Sequence, residues 1–250
     1  TETNKPAPPN YDDRAIALSF GARRIFEGMG LWSDIAPQAI AINHIHVSDQ
    51  GRFGFTRLDA KQENVDALGY VVTARQLGAS LMDRLQDCTN LTVISPATLT
   101  DLSFDTKNAM AEILHKDGTT QLLTTKLVIA ADGGHSQVRQ QLNIHTTDRD
   151  YKQTAIIANL TPEKPHRHIA YERFTRNGPL ALLPMPDNRC SLVWTRAPED
   201  AERLLQLSDE DFIVFPELTL TGFTMHSEKF AEDIDGIGTA FFINIAQKYK

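Results

Sequence analysis

The sequence predicts an α/β chain whose second half runs into a mostly antiparallel sheet, and three observations predict it. Apolar residues recur at helical spacing in the first ninety residues, and short apolar strands follow them. Thr154 to Thr195 is strand-like almost throughout, broken by turn pairs at Asn177-Gly178 and Asp187-Asn188. Between the halves, Val128 to Arg139 reads VIAADGGHSQVR, an apolar strand passing through Asp-Gly-Gly into a helix.

In order along the chain, Thr1 to Asn10 is polar and Pro-rich and is expected to carry no regular structure. Ile16, Leu18, Ala22, Ile25, Phe26 and Met29 recur every three or four residues and predict a helix over 15–29, with Gly30 as its stop. Ile40, Ile42, Ile45 and Val47 alternate toward Asp49-Gln50-Gly51, and RFGFTRL returns, which predicts a hairpin. Thr73 caps a second helix with Leu77, Leu81, Met82 and Leu85 on one face. LTVIS, ATLTDLSFD, AMAEILH and TTQLLTTKLVIAA follow as strands, with Lys116-Asp117-Gly118 as a turn. A strand is expected over 126–131 and a helix over 136–142 capped by Ser136, with Gly133 and Gly134 in the link. Glu199 to Leu207 is expected to be helical.

Composition narrows the function. A chain of 250 residues that is 41% hydrophobic can bury a substantial core. With 25 basic against 32 acidic side chains the net charge is −7, which argues against nucleic acid as a partner, because phosphate neutralisation needs a basic face. Two cysteines, Cys88 and Cys190, without CxxC spacing fit a reducing compartment, and a cytoplasmic location is expected. No run approaches the length of a membrane span, and no signal pattern opens the sequence. The missing initiator Met suggests a piece of a longer protein.

The Asp132-Gly133-Gly134 link is the strongest candidate for chemistry. Glycines at a strand-to-helix junction let backbone N–H groups approach a ligand, and a helix N-terminus favours phosphate. Asp132 could accept a hydrogen bond from a ribose or ribityl hydroxyl. His44 with His46 and His166 with His168 have the i,i+2 spacing of residues on one side of a strand, but no matching Cys, Asp or Glu cluster joins them and no metal site is expected. No serine sits in a GxSxG context, so hydrolase chemistry is not supported.

Asp132-Gly133, Ser136 and Val138-Arg139 resemble the motif that in flavin-dependent aromatic hydroxylases lies between the FAD and nicotinamide sites. DDRAIALSFGARRIFEGMGLW, HVSDQGRFGFTRLDA, LGYVVTARQL and GPLALLPMPDNRCSLVWT resemble, in the same order, segments of the ubiquinone-biosynthesis branch, the 2-octaprenyl-6-methoxyphenol hydroxylase group above all. The resemblance runs from about Tyr11 to Ile213. It implies an FAD/NAD(P)-binding Rossmann-like fold, with a partial FAD-binding domain over 1–150 and a partial substrate-binding domain over 151–250. It implies FAD as cofactor, NAD(P)H and O₂ as co-substrates, and a prenylated phenol as the molecule hydroxylated. It assigns Asp132, Gly133, Arg14, Arg75 and Glu2 to the cofactor, and a β-strand bearing Leu180, Leu182 and Pro184 to the roof over the substrate. It admits association with a ubiquinone-biosynthesis complex or with the surface of the inner membrane.

The departures are as informative. No GxGxxG occurs anywhere, the second Gly-Asp segment that in the family holds the ribityl chain is missing, and the family pattern stops after Ile213. The chain therefore reads as the middle of a flavoprotein. The competing expectation is a non-catalytic fragment or interaction module without flavin. A halogenase would carry a WxWxIP-like segment, and none is present.

Overall fold

The structure, a computed structural model, describes residues 14–147, 149–162, 164–213 and 243–244. The helix expected over 15–29 is a strand followed by a helix: β1 (Ala15–Ser19) leads into α1 (Phe20–Gly28). Ser19 marks the change, because its hydroxyl accepts from Ala22 N at 3.1 Å and caps α1. Ile16 and Leu18 fit a strand spaced by two as well as a helix, and pairing to a later strand decides between them. A short α2 (Trp32–Ile35), β2 (Ile40–Ile42), β3 (His44–Asp49) and β4 (Phe55–Asp59) follow, the last two forming the expected antiparallel hairpin. β5 (Gly69–Thr73), missed in the sequence, runs directly into α3 (Ala74–Gln86). The Thr73 cap is present as a reciprocal box, Gln76 N donating to Thr73 Oγ1 at 3.2 Å and Thr73 N donating to Gln76 Oε1 at 3.3 Å.

Next come β6 (Ala97–Phe104), β7 (Ala109–His115) and β8 (Thr120–Thr125), with Gly118 at φ +84° in the expected turn. LTVIS is not a strand, and neither is 126–131, since β8 stops at Thr125. Leu127 and Ile129 are 71% and 78% exposed. A strand apolar on both faces needs neighbours that cover both, and among the described residues this segment pairs with none. α4 (Gln137–Gln141) follows, capped by Ser136 as expected. The remaining elements are β9 (Thr154–Leu160), β10 (Ile169–Phe174), β11 (Leu180–Pro184), β12 (Cys190–Arg196), α5 (Pro198–Leu205), α6 (Asp209–Ile213) and β13 (Ile243–Asn244).

Contacts divide the described residues into two compact units, 88–151, and 14–87 with 152–213 and 243–244. The first unit holds the antiparallel sheet β6-β7-β8. Val138 of α4 packs on Leu102, Ala109 and Ala111, and Gln141 Nε2 donates to Thr100 O at 3.0 Å, so the short helix is fastened to the sheet.

The second unit holds two sheets. β1-β5-β2 is antiparallel, and a seven-stranded sheet runs β13-β9-β12-β11-β10-β3-β4, antiparallel except where β10 lies parallel to β3. Its two faces have different neighbours. Leu180, Leu182, Leu192 and Trp194 pack beneath Ala201 and Leu204 of α5 and Phe212 of α6. Ala170, Leu183 and Met185 lie on the opposite face, against Ile42 and Val71 of the smaller sheet.

Candidate cofactor and substrate site

In the second unit, Arg14 and Arg75 are brought together. β1 pairs with β5 so that Ala15 lies opposite Thr73, and Ala74 N donates to Arg14 O at 2.9 Å. Arg75 is therefore in the first turn of α3 beside the start of β1, held by the Thr73 capping box. The backbones of the two arginines thus share one strand-to-helix junction, and a guanidinium is a group suited to phosphate oxygens. Ala15, next to Arg14, packs against the Met185 cluster, so this junction adjoins the face of β11 that carries Leu183 and Met185.

Leu180 and Leu182 are buried in the core under α5, and Pro184, opposite Cys190, shares their side of β11 by alternation. The apolar lining read from the sequence, Leu180, Leu182, Leu183, Pro184 and Met185, thus mixes the two sides of the strand, Leu183 and Met185 belonging to the other cluster. The alternation in LALLPM separates the two sets, but which face adjoins Arg14 depends on a packing that no local pattern carries.

In the first unit, Asp132 and Gly133 are exposed. Val138 N donates to Asp132 Oδ2 at 3.2 Å, and the hydrogen bond from Ser136, with those from the backbone, holds the carboxyl below its usual range. Arg139 Nη2 donates to Gly134 O at 2.6 Å, which fixes the loop. Gly133 has φ +82° and nothing within 4 Å of where a Cβ would stand, so its backbone is open to approach. Glu2 lies outside the described residues. The histidine pairs are otherwise engaged: His44 Nδ1 lies 3.2 Å from Asp59 Oδ2, Arg57 donates to His46, and His166 and His168 bond to backbone. Cys190 is buried, and burial pushes its thiol up to about 12, far from a nucleophile's range.

The family profile described as the FAD binding domain matches residues 3–215. The chain belongs to this family. Among curated FAD-domain relatives, the ubiquinone hydroxylase UbiL of Rhodospirillum rubrum is 36% identical over 202 residues, covering 81% of this chain and 46% of that protein. The mitochondrial ubiquinone biosynthesis monooxygenase COQ6 of Caenorhabditis elegans is 29% identical over 213 residues, covering 84% and 46%. The chain thus spans about half the length of the curated relatives it matches. Among solved structures, Pseudomonas aeruginosa PqsL in complex with 2-aminobenzoylacetate shares the fold, with a TM-score of 0.74 at 16% identity over 96% of this chain and 65% of that one. Among the described residues no helix is long and apolar enough to cross a membrane.

The donor set fits the group the family is named for. Within the second unit the guanidinium groups of Arg14 and Arg75 are chemically suited to pyrophosphate oxygens, and within the first Asp132, beside the open backbone of Gly133, is suited to a sugar or ribityl hydroxyl.

Proposed function

We propose that this chain is part of a flavin-dependent monooxygenase that hydroxylates a prenylated phenol in ubiquinone biosynthesis, using NAD(P)H and O₂. The observation that carries the reading is the 36% identity to a ubiquinone hydroxylase across four fifths of the chain, within an FAD-binding family. Arg14, Arg75, Asp132, Gly133 and Glu2 hold FAD in this reading, and the cofactor supplies the redox and oxygen chemistry when bound. The protein's task is to bind, orient and exclude water. β11 forms the apolar wall in this reading: half-buried Leu183 turns to the substrate side, buried Met185 backs it against Ile42 and Val71, and Leu180, Leu182 and Pro184 stiffen the strand from the other face. The resemblance to the 2-octaprenyl-6-methoxyphenol hydroxylases adds the substrate class, and such a phenol puts the parent protein in the cytoplasm against the inner membrane or within a biosynthetic complex.

The test uses the full-length parent. Arg14→Ala and Asp132→Ala should each lower flavin content or slow anaerobic reduction by NAD(P)H by roughly tenfold or more, as expected for loss of a charge-assisted hydrogen bond of about 1.5–3 kcal/mol. Leu183→Ala should leave flavin content intact and lower hydroxylated product per nicotinamide consumed. If both polar variants keep normal flavin content and reduction in folded protein, these residues are not at the cofactor.

A further inference from the structure

The seven-stranded sheet carries a second feature, on the face away from Leu183 and Met185. Register places the side chains of that face in rows across the strands. One row runs Leu192, Leu182, Tyr171, His46, Arg57, and the next runs Trp194, Leu180, Arg173, Ser48, Phe55. Over β11 and β12 the rows are apolar and covered by α5 and α6. Over β10, β3 and β4 they turn aromatic and basic, and there the surface opens into a groove of about 610 Å³ lined by His44, His46, Arg57, Asp59, Ile169 and Tyr171 among others.

The charges in this groove do not balance. Its carboxylate, Asp59, is taken by His44 at 3.2 Å. Arg57 Nε donates to His46 Nδ1 at 3.2 Å, and its guanidinium lies 4.6 Å from the centre of the Phe55 ring. Arg57 meets no acidic side chain among the described residues. Beside the groove, Arg173 keeps a buried Nε with no hydrogen-bond partner, a costly arrangement for a cationic group. Burial, and then the charges of these two arginines, lower the pKa of His46. Nε is committed to His46, Arg57 is exposed and lines the groove, and the two terminal N–H groups of a guanidinium match two coplanar oxygens. The ring of His46 stacks on Phe55 at 5.0 Å and lies 5.7 Å from Tyr171, so the walls suit a flat apolar body.

We propose that this groove binds a planar aromatic carboxylate, with Arg57 pairing the carboxylate and His46 and Tyr171 flanking the ring. A carboxylate fits better than a phosphate because one guanidinium edge offers two donors, and the lining supplies aromatic surface rather than a nest of N–H groups. The site is separate from the proposed flavin chemistry, so its failure leaves that reading standing.

The experiment titrates benzoate into the 250-residue chain and follows the ring signals of His44 and His46 by NMR, with His115, on β7 of the other unit, as reference. Saturable shifts confined to His44 and His46 are expected. Acetate, benzamide and inorganic phosphate should each bind at least about tenfold more weakly, since each lacks the ring, the charge or the flat carboxylate. Arg57→Gln should weaken benzoate about tenfold or more, read at His44 because His46 loses its own partner. Arg57→Lys should lose less, and neither change should lower the melting temperature appreciably, because Arg57 is exposed. Absence of saturation, phosphate binding as tight as benzoate, or an Arg57→Gln protein with unchanged affinity would overturn the proposal.

Discussion

His166 shows how one side chain sets a pH dependence. His168 N donates to its Nδ1 at 3.1 Å, so Nδ1 is an acceptor and carries no proton. The proton is then on Nε2, which donates to Met185 O at 3.1 Å. Protonating Nδ1 would set an N–H against an N–H. Burial is the main cause that lowers the pKa of this ring, with the neighbouring His168 adding to it. The unfolded chain therefore binds a proton at a pH where the folded chain does not, and stability rises with pH across that window. The contribution is fully present above the unfolded value of about 6.5 and is lost as pH falls toward the lower folded value. Urea midpoints should accordingly decline between about pH 7.5 and 5, and His166→Gln should flatten the decline. His46 is shifted in the same direction by burial and by Arg57 and Arg173, so His46→Gln should remove a further part. Midpoints equally pH-dependent in both variants would show that other groups carry the effect.

At the scale of elements, strand ends and strand faces make separable predictions. Gly178 turns the chain into β11 at φ +128°, and a Cβ there would collide with the carbonyl of Thr195, whose own N–H donates to Pro179 O at 2.9 Å. Gly178→Ala should cost about 2–4 kcal/mol from strain and overlap together. Leu182→Ala should cost about 2–5 kcal/mol, because its side chain is 1% exposed in the core under α5. Thr73→Ala should cost only about 1 kcal/mol, the worth of a cap. Chemical denaturation of the three variants checks that order. The cap at Thr73, the β3–β4 hairpin, the turn at Gly118 and the Ser136 cap were all legible because each depends on residues within a few positions of one another. β1 was hidden because Ile16 and Leu18 satisfy two periodicities, and its partner β5 lies more than fifty residues on. The parallel pairing of β3 with β10 joins residues 125 apart and leaves no local trace. LVIAA reads as a buried strand because its composition is that of one, yet burial depends on neighbours, and Leu127 and Ile129 stand 71% and 78% exposed. The candidate site divides in the same way: Asp132-Gly133 was legible as a motif, whereas the Leu183 face of β11 required the packing of Met185 against Ile42 and Val71.

At the scale of the whole molecule, the question is how firmly this polypeptide holds flavin. The profile match extends over residues 3–215, yet the sequence has no GxGxxG and the curated relatives are about twice as long. In the family's folds a glycine-rich loop supplies backbone donors to the pyrophosphate, and each charge-assisted hydrogen bond is worth about 1.5–3 kcal/mol. In the proposed reading Arg14, Arg75 and Asp132 supply some contacts to FAD, but not those of a loop of backbone N–H groups. Loss of even two such bonds corresponds to a factor of roughly 10² to 10⁴ in affinity, at about 1.4 kcal/mol per tenfold. On the reading proposed above, in which this chain is part of a longer flavoenzyme, the 250 residues alone should bind FAD at least about a hundredfold more weakly than that full-length parent and emerge colourless from dialysis. Fluorescence titration of FAD into both proteins, with Arg14→Ala in each, separates the contributions. In the parent the substitution should weaken binding measurably, and in the chain alone it should abolish what remains. A chain that stays yellow through dialysis would mean that the contacts within residues 1–250 suffice, and that the missing glycine loop contributes less than its chemistry in related folds implies.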